Sequence, residues 1–234
     1  MNTLIICQYS KTVPLLRYYT LMSEAVNAAK RTRRADKAQE THRRIVDAAT
    51  RLFLDRGYVP TTIEAIAGAA DVAVETVYAR FRTKANLLVA VTDAAVTEGG
   101  GIPLAQRPEL APLTAETDQR RQLQIAAALS RGMLQRVSPI YALLRDAAAA
   151  DDALREPLAA DIDRRRRFQH TLVGLIRAHG PLRDSLTADQ AADTYSALAN
   201  PDLYLLLTTH HGWTADHYQA WLATSLQHLL LPDP

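Results

Sequence analysis

Apolar residues recur along most of this chain at intervals of three and four positions, which is the spacing of one face of an α-helix. The first clear example predicts a helix over residues 39–56 that stops at Gly57, with an apolar stripe of Ile45, Ala49, Leu52 and Phe53. No run alternates apolar and polar positions with the enrichment in β-branched residues that strands show. The pattern therefore predicts an all-α protein without a sheet.

Two short helices follow this first one. Thr61 is the predicted N-cap of the second helix, and Glu64 three residues later completes a capping box. After a turn over residues 70–72, a third helix has a face formed by Val74, Val77, Tyr78 and Phe81. Thr83 is the predicted cap of a fourth helix, which continues to the triple glycine that starts at position 99.

A loop-forming segment divides the chain. Residues 99–113 contain three glycines and three prolines, so we place a linker there, between a domain of residues 30–98 and a larger one of residues 114–234. A Ser-Pro pair predicts a helix break before Pro139, and Thr187 with Gln190 predicts a capping box. The predicted helices of the larger domain cover residues 117–137, 139–150, 154–179, 187–198 with a restart at Pro201, and 214–231.

Composition narrows the class of protein. The chain has 234 residues, of which 48% are hydrophobic, so it can bury a substantial core. Its single cysteine, Cys7, excludes a disulfide within the chain and a cysteine-based zinc site, and it is typical of the reducing cytoplasm. The first 21 residues lack the basic start of a secretory signal, and Lys11 and Arg17 interrupt their apolar runs. We expect neither export nor membrane insertion, and we assign no function to residues 1–29.

Positive charge is concentrated in one segment. Residues 30–44 carry seven lysines and arginines against Asp36 and Glu40, whereas the whole chain has 27 basic and 25 acidic residues. One interpretation is a polyanionic partner such as nucleic acid, and the other is a solvated surface. A second arginine run, residues 164–167, wraps most of a helical turn beside Asp161 and Asp163, which indicates an ion-paired, solvated surface.

The sequence contains no recognisable catalytic or metal-binding pattern. It has no phosphate-binding glycine loop, nucleophile elbow or cysteine pair, so we predict neither an enzyme nor a cofactor. His210, His211 and His217 lie near Asp216, but their spacing matches no known ligand pattern, and we predict no metal site.

The second and third helices have the proportions of a helix-turn-helix unit, although an ordinary three-helix core has the same periodicity. The types and spacing of individual residues are more specific than this periodicity. The informative residues are Ala48, Ala49, Leu52, Phe53, Gly57, Thr61, Thr62, Ile66, Ala67, Ala70, Thr76, Val77, Tyr78, Phe81, Lys84, Leu87 and Leu88. In the type and spacing of these residues, positions 43–91 resemble the N-terminal DNA-binding domain of the tetracycline-repressor (TetR) family of bacterial regulators.

The resemblance implies a set of residues that contact DNA. Thr62 would bind a phosphate; its other role is a plain helix cap, and the two roles are compatible. Thr76 and Tyr78 would contact the DNA backbone or base edges, and Lys84 would bind a phosphate. Residues 30–38 form what we call the basic arm, and further candidates in and just after it are Arg33, Arg34 and Arg43.

The chain also departs from the family pattern. Asp71 stands where the family often has glycine, and Ala73 and Val74 stand where polar or basic residues are common. These departures imply a less polar base recognition, in which Ala73 or Val74 touches a thymine methyl group. Glu75 can accept a hydrogen bond from cytosine or serve only as a favourable first-turn charge, and Arg80 can reach guanine or phosphate.

For the larger domain, the resemblance implies a small-molecule effector and a homodimer. Residues that can line an effector cavity, or equally belong to the core, are Met133, Tyr141, Phe168, Leu172, Tyr195 and Tyr204. The last helix has a wide apolar stripe for the dimer contact, formed by Tyr218, Trp221, Leu222, Ser225, Leu226 and Leu229. The leading hypothesis is a ligand-responsive repressor that binds a pseudo-palindromic operator in double-stranded DNA. The alternative is an all-helical protein-interaction module without DNA function.

Removal of residues 1–37 tests whether the basic arm contacts DNA. If a dimer loses two phosphate contacts per subunit, the slope of log K against log salt flattens by roughly 3 to 4, because each contact contributes about 0.9. Thermal stability should barely change, since the arm precedes the first core helix. A salt titration of DNA affinity measures the slope, and an unchanged slope at full affinity would show that the arm is solvated charge.

Overall fold

Most of the residues that the structure describes are helical. This computed structural model covers residues 35–97, 108–184 and 186–233, and these ranges contain no strand, which confirms the predicted all-α class. Residues 1–29, the first part of the basic arm and the triple glycine lie outside the described residues. The chain divides into two compact units, Met1–Arg44 and Ile45–Pro234. Residues 35–56 are helical and form α1, of which residues 35–44 belong to the first unit.

Local signals set the first helix boundaries of the second unit. α1 ends at residue 56, where Gly57 has a φ of 84° and donates its N–H to the Phe53 carbonyl at 2.9 Å. Three helices follow: α2 (Ile63–Ala70), α3 (Val74–Phe81) and α4 (Lys84–Thr97). Thr83 accepts a hydrogen bond from the Asn86 N–H at 3.0 Å and so caps α4 as predicted.

The cap of α2 differs from the prediction by one residue. Thr62, not Thr61, is the N-cap, and its Oγ1 accepts a hydrogen bond from the Ala65 N–H at 3.2 Å. Thr61 is buried, and its hydroxyl donates to the Gly57 carbonyl at 2.7 Å. The predicted capping box of Thr61 with Glu64 is therefore wrong, because the buried hydroxyl joins the loop to the end of α1.

The described residues after position 107 contain the longer helices. They form a 3₁₀ turn at Pro108–Leu110, α5 (Ala111–Ala115), α6 (Gln119–Ala150), a 3₁₀ turn at Asp152–Leu154, α7 (Arg155–Arg177), α8 (Ala188–Leu198), α9 (Pro201–Leu205), a π-helical turn at Leu206–His210 and α10 (Ala215–Leu230). Residues 108–113, which we assigned to the linker, are helical because Leu110 and Leu113 are buried in the core. None of the described helices combines the length and the apolar character that crossing a membrane requires.

α6 is one continuous helix of 32 residues, so the predicted break before Pro139 is wrong. The apolar stripe continues across the proline through the buried residues Leu134, Val137 and Ile140. Pro139 is exposed, and so is Gln135, whose carbonyl loses its helical partner to the proline. Water can reach that carbonyl on the exposed side, and packing on the buried side therefore outweighs the cost of the proline.

Other predicted boundaries are confirmed to within a few residues. Thr187 and Gln190 form the predicted capping box at the start of α8. Asn200 caps α9, whose first residue is Pro201, so the chain restarts there as predicted. Thr214 caps α10 by accepting a hydrogen bond from the His217 N–H at 3.1 Å. These signals are reliable because each needs only residues within one helical turn.

Two clusters of buried residues organise the second unit, and α6 contributes to both. The first cluster joins α2, α3 and α4 to the C-terminal half of α6, including Ile140 and Leu144. The second cluster joins the N-terminal half of α6 to α7, α8 and α10, with Tyr195 and Tyr218 among its fully buried side chains. α6 is therefore the helix through which the two clusters are connected.

A hydrogen bond fastens the loop after α1 to the end of α6. The Tyr58 hydroxyl donates to Asp151 Oδ2 at 2.7 Å, and Asp151 Oδ1 accepts from the Ala153 N–H at 3.1 Å. Burial, together with the hydrogen bond and the negative charge of Asp151, raises the pKa of the Tyr58 hydroxyl well above its usual range. The hydroxyl therefore keeps its proton and remains a donor to this carboxylate.

Candidate functional site

α3 presents one polar face to solvent. Its buried residues, Val77 and Phe81, pack in the first cluster. Its exposed residues are Glu75, Thr76, Tyr78, Ala79 and Arg80. The Tyr78 side chain is 47% exposed, so it is a surface residue and not part of the core. The structure thus brings four of the predicted DNA-contact residues together on one side of a short helix.

The turn before α3 depends on Asp71 in the left-handed conformation. Its φ of 52° and ψ of 55° place it there, and its N–H points to the carbonyls of Ala67 and Gly68. The Val72 N–H donates to the Ala67 carbonyl at 3.0 Å and closes the end of α2. Aspartate tolerates this conformation better than most residues, so the tight turn forms without a glycine.

The N-terminus of α3 has no side-chain cap. Ala73 is exposed, and its carbonyl accepts a hydrogen bond from the Thr76 N–H at 3.0 Å. Val74 is half-buried and packs against the first cluster, so only part of its side chain is open to a partner. The first turn of α3 therefore exposes the Ala73 methyl group and the Glu75 carboxylate.

Lys84 has a position that the sequence did not indicate. Its Nζ donates to three carbonyls, those of Tyr58 at 3.0 Å, Val59 at 3.2 Å and Thr61 at 3.1 Å. The same ammonium lies 4.3 Å from the centroid of the Tyr58 ring, in a cation–π contact. An ammonium has three N–H donors, so this arrangement leaves none for a phosphate. We therefore correct the role of Lys84 from a phosphate ligand to a structural link between α4 and the loop before α2.

Sequence reasoning also missed Arg82, which joins α3 to α4. It has a φ of 66° and a ψ of −45°, and the Thr83 N–H donates across it to the Phe81 carbonyl at 2.8 Å. This is a γ-turn that residues other than glycine adopt only at an energetic cost. Arginine does not favour positive φ, so no sequence signal marks the turn.

The remaining predicted DNA-contact residues lie in other elements. Thr62 is exposed and acts as the N-cap of α2, in agreement with the cap interpretation. Arg43 in the first unit is exposed and forms an ion pair with Glu40 at 2.8 Å. Arg33 and Arg34 lie outside the described residues.

A cavity of about 590 Å³ lies in the second unit, within the size range of small-molecule sites. Val96 and Thr97 at the end of α4 contribute to its wall, along with residues of α6, α7 and α8. Of the predicted lining residues, it contains Met133, Phe168 and Tyr195. The Tyr195 hydroxyl is hydrogen-bonded to Ser130 at 2.8 Å, and burial raises its pKa to about 12. This hydroxyl is therefore neutral at physiological pH.

The other predicted lining residues, Tyr141, Leu172 and Tyr204, are not part of the cavity wall. Leu172 is fully buried in the second cluster. The Tyr141 ring lies 4.2 Å from the guanidinium of Arg165, and Tyr204 packs edge-on against Tyr218 with ring centroids 4.9 Å apart. Helical periodicity identifies inward-facing residues, but it does not distinguish residues beside a cavity from residues that fill space.

Charged residues of α7 belong to the cavity wall. Asp161 is only 2% exposed, and its Oδ1 accepts a hydrogen bond from Arg164 Nη2 at 2.6 Å. Its Oδ2 lies 3.0 Å from Arg165 Nε, an ion pair without hydrogen-bond alignment. Arg164 Nη1 also donates to Asp93 Oδ1 on α4 at 3.2 Å. The predicted ion pairing is confirmed, but the predicted solvated surface is wrong for the buried Asp161.

The charge state of Arg164 follows from these partners. Burial by itself lowers the pKa of its guanidinium, but the hydrogen bonds and charges of Asp161 and Asp93 outweigh that effect and raise the pKa. Arg164 is therefore a permanent cation that connects α7 to α4.

Half of the residues predicted for the dimer contact are buried within the chain itself. These fully buried residues of the second cluster are Tyr218, Leu222 and Leu226. Trp221 and Ser225 are half-buried, and Leu229 is 46% exposed. We correct the predicted contact accordingly, because the centre of the apolar stripe covers the core and only its edge remains available to a second copy.

One histidine at the start of α10 packs against an aromatic ring. His217 stacks on the ring of Trp213, with centroids 4.1 Å apart. Within the described ranges, no group of three His, Cys, Asp or Glu residues is placed to hold a metal ion.

Substitution of Lys84 by methionine tests its structural role. The change leaves three carbonyls without their shared donor, so we expect the free energy of unfolding to fall by about 2 kcal/mol. Chemical denaturation of the variant measures this loss. The exposed Arg51 on α1 provides the control, since Arg51→Met should change stability by less than about 0.5 kcal/mol. Equal stability of the two variants would contradict the structural role of Lys84.

Known proteins share both the sequence of the segment that contains α2 and α3 and the overall helical fold. Residues 45–91 match the tetR family of bacterial regulatory proteins. A search of curated proteins gives no match. Among solved structures, a protein from Saccharomonospora viridis described as a transcriptional regulator in complex with choline is 24% identical, with a TM-score of 0.65 over 83% of this chain and 99% of its own.

Two further structures are similar to this chain. NalD, the secondary repressor of the MexAB-OprM multidrug efflux pump in Pseudomonas aeruginosa, is 21% identical, with a TM-score of 0.63 over 84% of this chain and 100% of its own. A protein from Rhodococcus described as a TetR-family transcriptional regulator is 19% identical, with a TM-score of 0.63 over 82% of this chain and 98% of its own.

The structural similarities and the sequence match establish different things. At identities below 25%, the solved structures show a shared fold across most of the chain. The match of residues 45–91 identifies the N-terminal DNA-binding domain by its sequence. The chain therefore contains a segment, residues 45–91, that matches the tetR family of bacterial regulatory proteins by sequence.

Proposed function

We propose that this protein is a ligand-responsive transcriptional repressor that binds a pseudo-palindromic DNA operator as a homodimer in the cytoplasm. The observation that best supports DNA binding is the solvent face of α3, whose exposed residues include Glu75, Thr76, Tyr78 and Arg80. A helix of eight residues is about 12 Å long, a length that suits insertion into a major groove. The buried Val77 and Phe81 hold the opposite side of this helix in the core.

The residues of this face divide into two roles. The hydroxyls of Thr76 and Tyr78 are suited to phosphate oxygens, which position a protein on DNA without specifying sequence. Glu75 can accept from cytosine N4, Arg80 can donate to guanine, and the exposed methyl group of Ala73 can contact a thymine methyl. Val74 contributes less to base contacts, because it is half-buried.

The cavity is the site that we propose for a small-molecule effector. α4 runs from the Lys84 link beside the DNA-reading helices to Val96 and Thr97 in the cavity wall. A ligand in the cavity therefore touches a helix that also holds the DNA-binding domain. The effector must bind more tightly to the conformation that releases DNA than to the conformation that binds DNA, since equal affinity for both would leave their populations unchanged. The choline complex of one structural neighbour and the repressor role of NalD support this proposal by analogy.

A mobility-shift assay on the DNA that flanks its own gene tests the proposal. We expect retardation of one or a few fragments at protein concentrations that leave random DNA free. The same assay separates the alternative, an all-helical protein-interaction module, which would retard no fragment at low salt.

Substitutions on α3 should distinguish positioning contacts from base contacts. We expect Tyr78→Phe to weaken binding to specific and random DNA by similar factors, because a phosphate contact carries no sequence information. Glu75→Gln and Arg80→Gln should instead change the preferred base at one position, by about 1 to 3 kcal/mol for a true base contact. Arg155→Gln on the exposed start of α7 is the control and should change neither quantity. A uniform loss with all three α3 variants would contradict the assignment of base contacts.

The proposed dimer uses the outer edge of α10. Charged substitutions at the half-buried Trp221 and the exposed Leu229 should produce monomers, because each places a carboxylate in an apolar contact. Light scattering of the Trp221→Glu, Leu229→Glu double variant measures the mass. Leu54→Glu on α1 is the matched control, since Leu54 is similarly exposed but belongs to a different helix. A dimer that survives the double variant would remove these positions from the interface.

A further inference from the structure

The cavity wall combines a mostly apolar surface with an excess of positive charge. Its apolar part includes Leu129, Met133, Leu134, Val137 and Phe168. Among the residues that the structure describes, four arginines line the wall, Arg136, Arg164, Arg165 and Arg167, against two acidic residues, Glu109 and Asp161. A ligand that matches this wall therefore has an apolar body and a negatively charged group.

The buried carboxylate of the wall is already occupied. Asp161 lies between Arg164 and Arg165, with one oxygen 2.6 Å from Arg164 Nη2 and the other 3.0 Å from Arg165 Nε. A cationic ligand would have to displace an arginine from a carboxylate that is 2% exposed, and removing one partner of a buried ion pair is strongly unfavourable. Cationic ligands also favour several aromatic faces, whereas the described lining residues include just two aromatic ones, Phe168 and Tyr195.

Arg164 bridges two helices, because one of its hydrogen bonds leaves α7. Its Nη2 is held by the buried Asp161, whereas its Nη1 reaches Asp93 on α4 at 3.2 Å. Asp93 is 54% exposed, so this second bond is the weaker and more easily exchanged of the two. A carboxylate inside the cavity can take the place of Asp93 without disturbing Asp161.

We propose that the effector is an apolar molecule with a carboxylate or another oxyanion, and that its acid group binds Arg164 in competition with Asp93. This inference rests on the effector site proposed above and names its ligand class. Exchange of Asp93 for the ligand removes a link between α7 and α4 at the end of α4 that borders the cavity. The other end of α4 is joined through Lys84 to the loop before α2. Release of the Asp93–Arg164 pair therefore changes how α4 constrains the DNA-binding domain.

Three ten-carbon probes test the ligand class with the full-length protein. Isothermal titration calorimetry compares decanoate, 1-decanol and decyltrimethylammonium, each below its aggregation concentration. The three share an apolar chain and differ in the charge of the head group. We expect decanoate to bind at least about tenfold more tightly than the other two, the ratio that one charge-assisted hydrogen bond supplies. Equal or tighter binding of the alcohol or the cation would overturn the proposal, as would the absence of saturable decanoate binding.

Two variants test the role of Arg164 and Asp93. Arg164→Gln should weaken decanoate binding by about tenfold or more and leave decanol binding unchanged, because decanol has no charge to pair with Arg164. Asp93→Asn should strengthen decanoate binding a few-fold, since it removes the competitor for Arg164. The matched controls are Arg155→Gln and Asp152→Asn, which change an exposed ion pair at the start of α7 and should have no effect.

The outcome does not depend on the folding of one variant. If Arg164→Gln fails to give a cooperative thermal transition, the half-exposed Asp93→Asn decides the test, and unchanged or weaker decanoate binding in that variant overturns the proposal. A mobility-shift assay on the same preparations separates this inference from the proposed function. Operator binding without decanoate binding contradicts only the ligand class, whereas decanoate binding without any DNA binding contradicts only the regulator role.

Discussion

Three carbonyl oxygens converge on the ammonium group of Lys84, and the geometry of the DNA-binding domain depends on this convergence. The loop of residues 58–61 lies between two helices, so its carbonyls have no regular partners and need donors from elsewhere. Lys84 supplies them from the first residue of α4. α2 begins directly after this loop, at its cap Thr62. The bonds of Lys84 to the loop therefore help to position α2 and, through the turn that follows it, α3.

The same link extends beyond the DNA-binding domain. The Tyr58 ring lies under the Lys84 ammonium, and its hydroxyl donates to Asp151 at the end of α6. The N-terminal end of α4 is therefore connected through Lys84 and Tyr58 to Asp151. Its C-terminal part is connected to α7 by the ion pair of Asp93 with Arg164 beside the cavity. A helix fixed at both ends responds as a rigid element, because its interior cannot absorb a local displacement without losing packing.

The buried Asp161 shows how the cavity balances polarity against packing. A carboxylate that is 2% exposed is costly unless cations compensate it, and Arg164 and Arg165 do so from the next turn of α7. Such a pair adds little to stability compared with apolar residues of the same volume. Its contribution is to orient two guanidinium groups beside a cavity whose wall is otherwise mostly apolar.

The sequence by itself determined the all-α class, most helix ends and the DNA-binding domain. Caps such as Thr83, Thr187 and Thr214 act within one helical turn, and Asp71 needs only its own backbone, so neighbouring residues suffice to predict them. The likeness of residues 43–91 to a known family identified the exposed face of α3 for the same reason, because that face lies within one continuous segment.

Only the tertiary structure decided which of several suitable residues perform each task. Pro139 continues a helix because buried neighbours on both sides outweigh one lost hydrogen bond. Tyr218 belongs to the core because its ring packs against Tyr204 of α9 and its hydroxyl donates to the Leu198 carbonyl at the end of α8. Lys84 binds carbonyls 23 to 26 positions earlier in the chain, and Arg164 meets an aspartate 71 positions away. Contacts across such separations depend on how whole helices pack, which the spacing of apolar residues within a single helix does not specify.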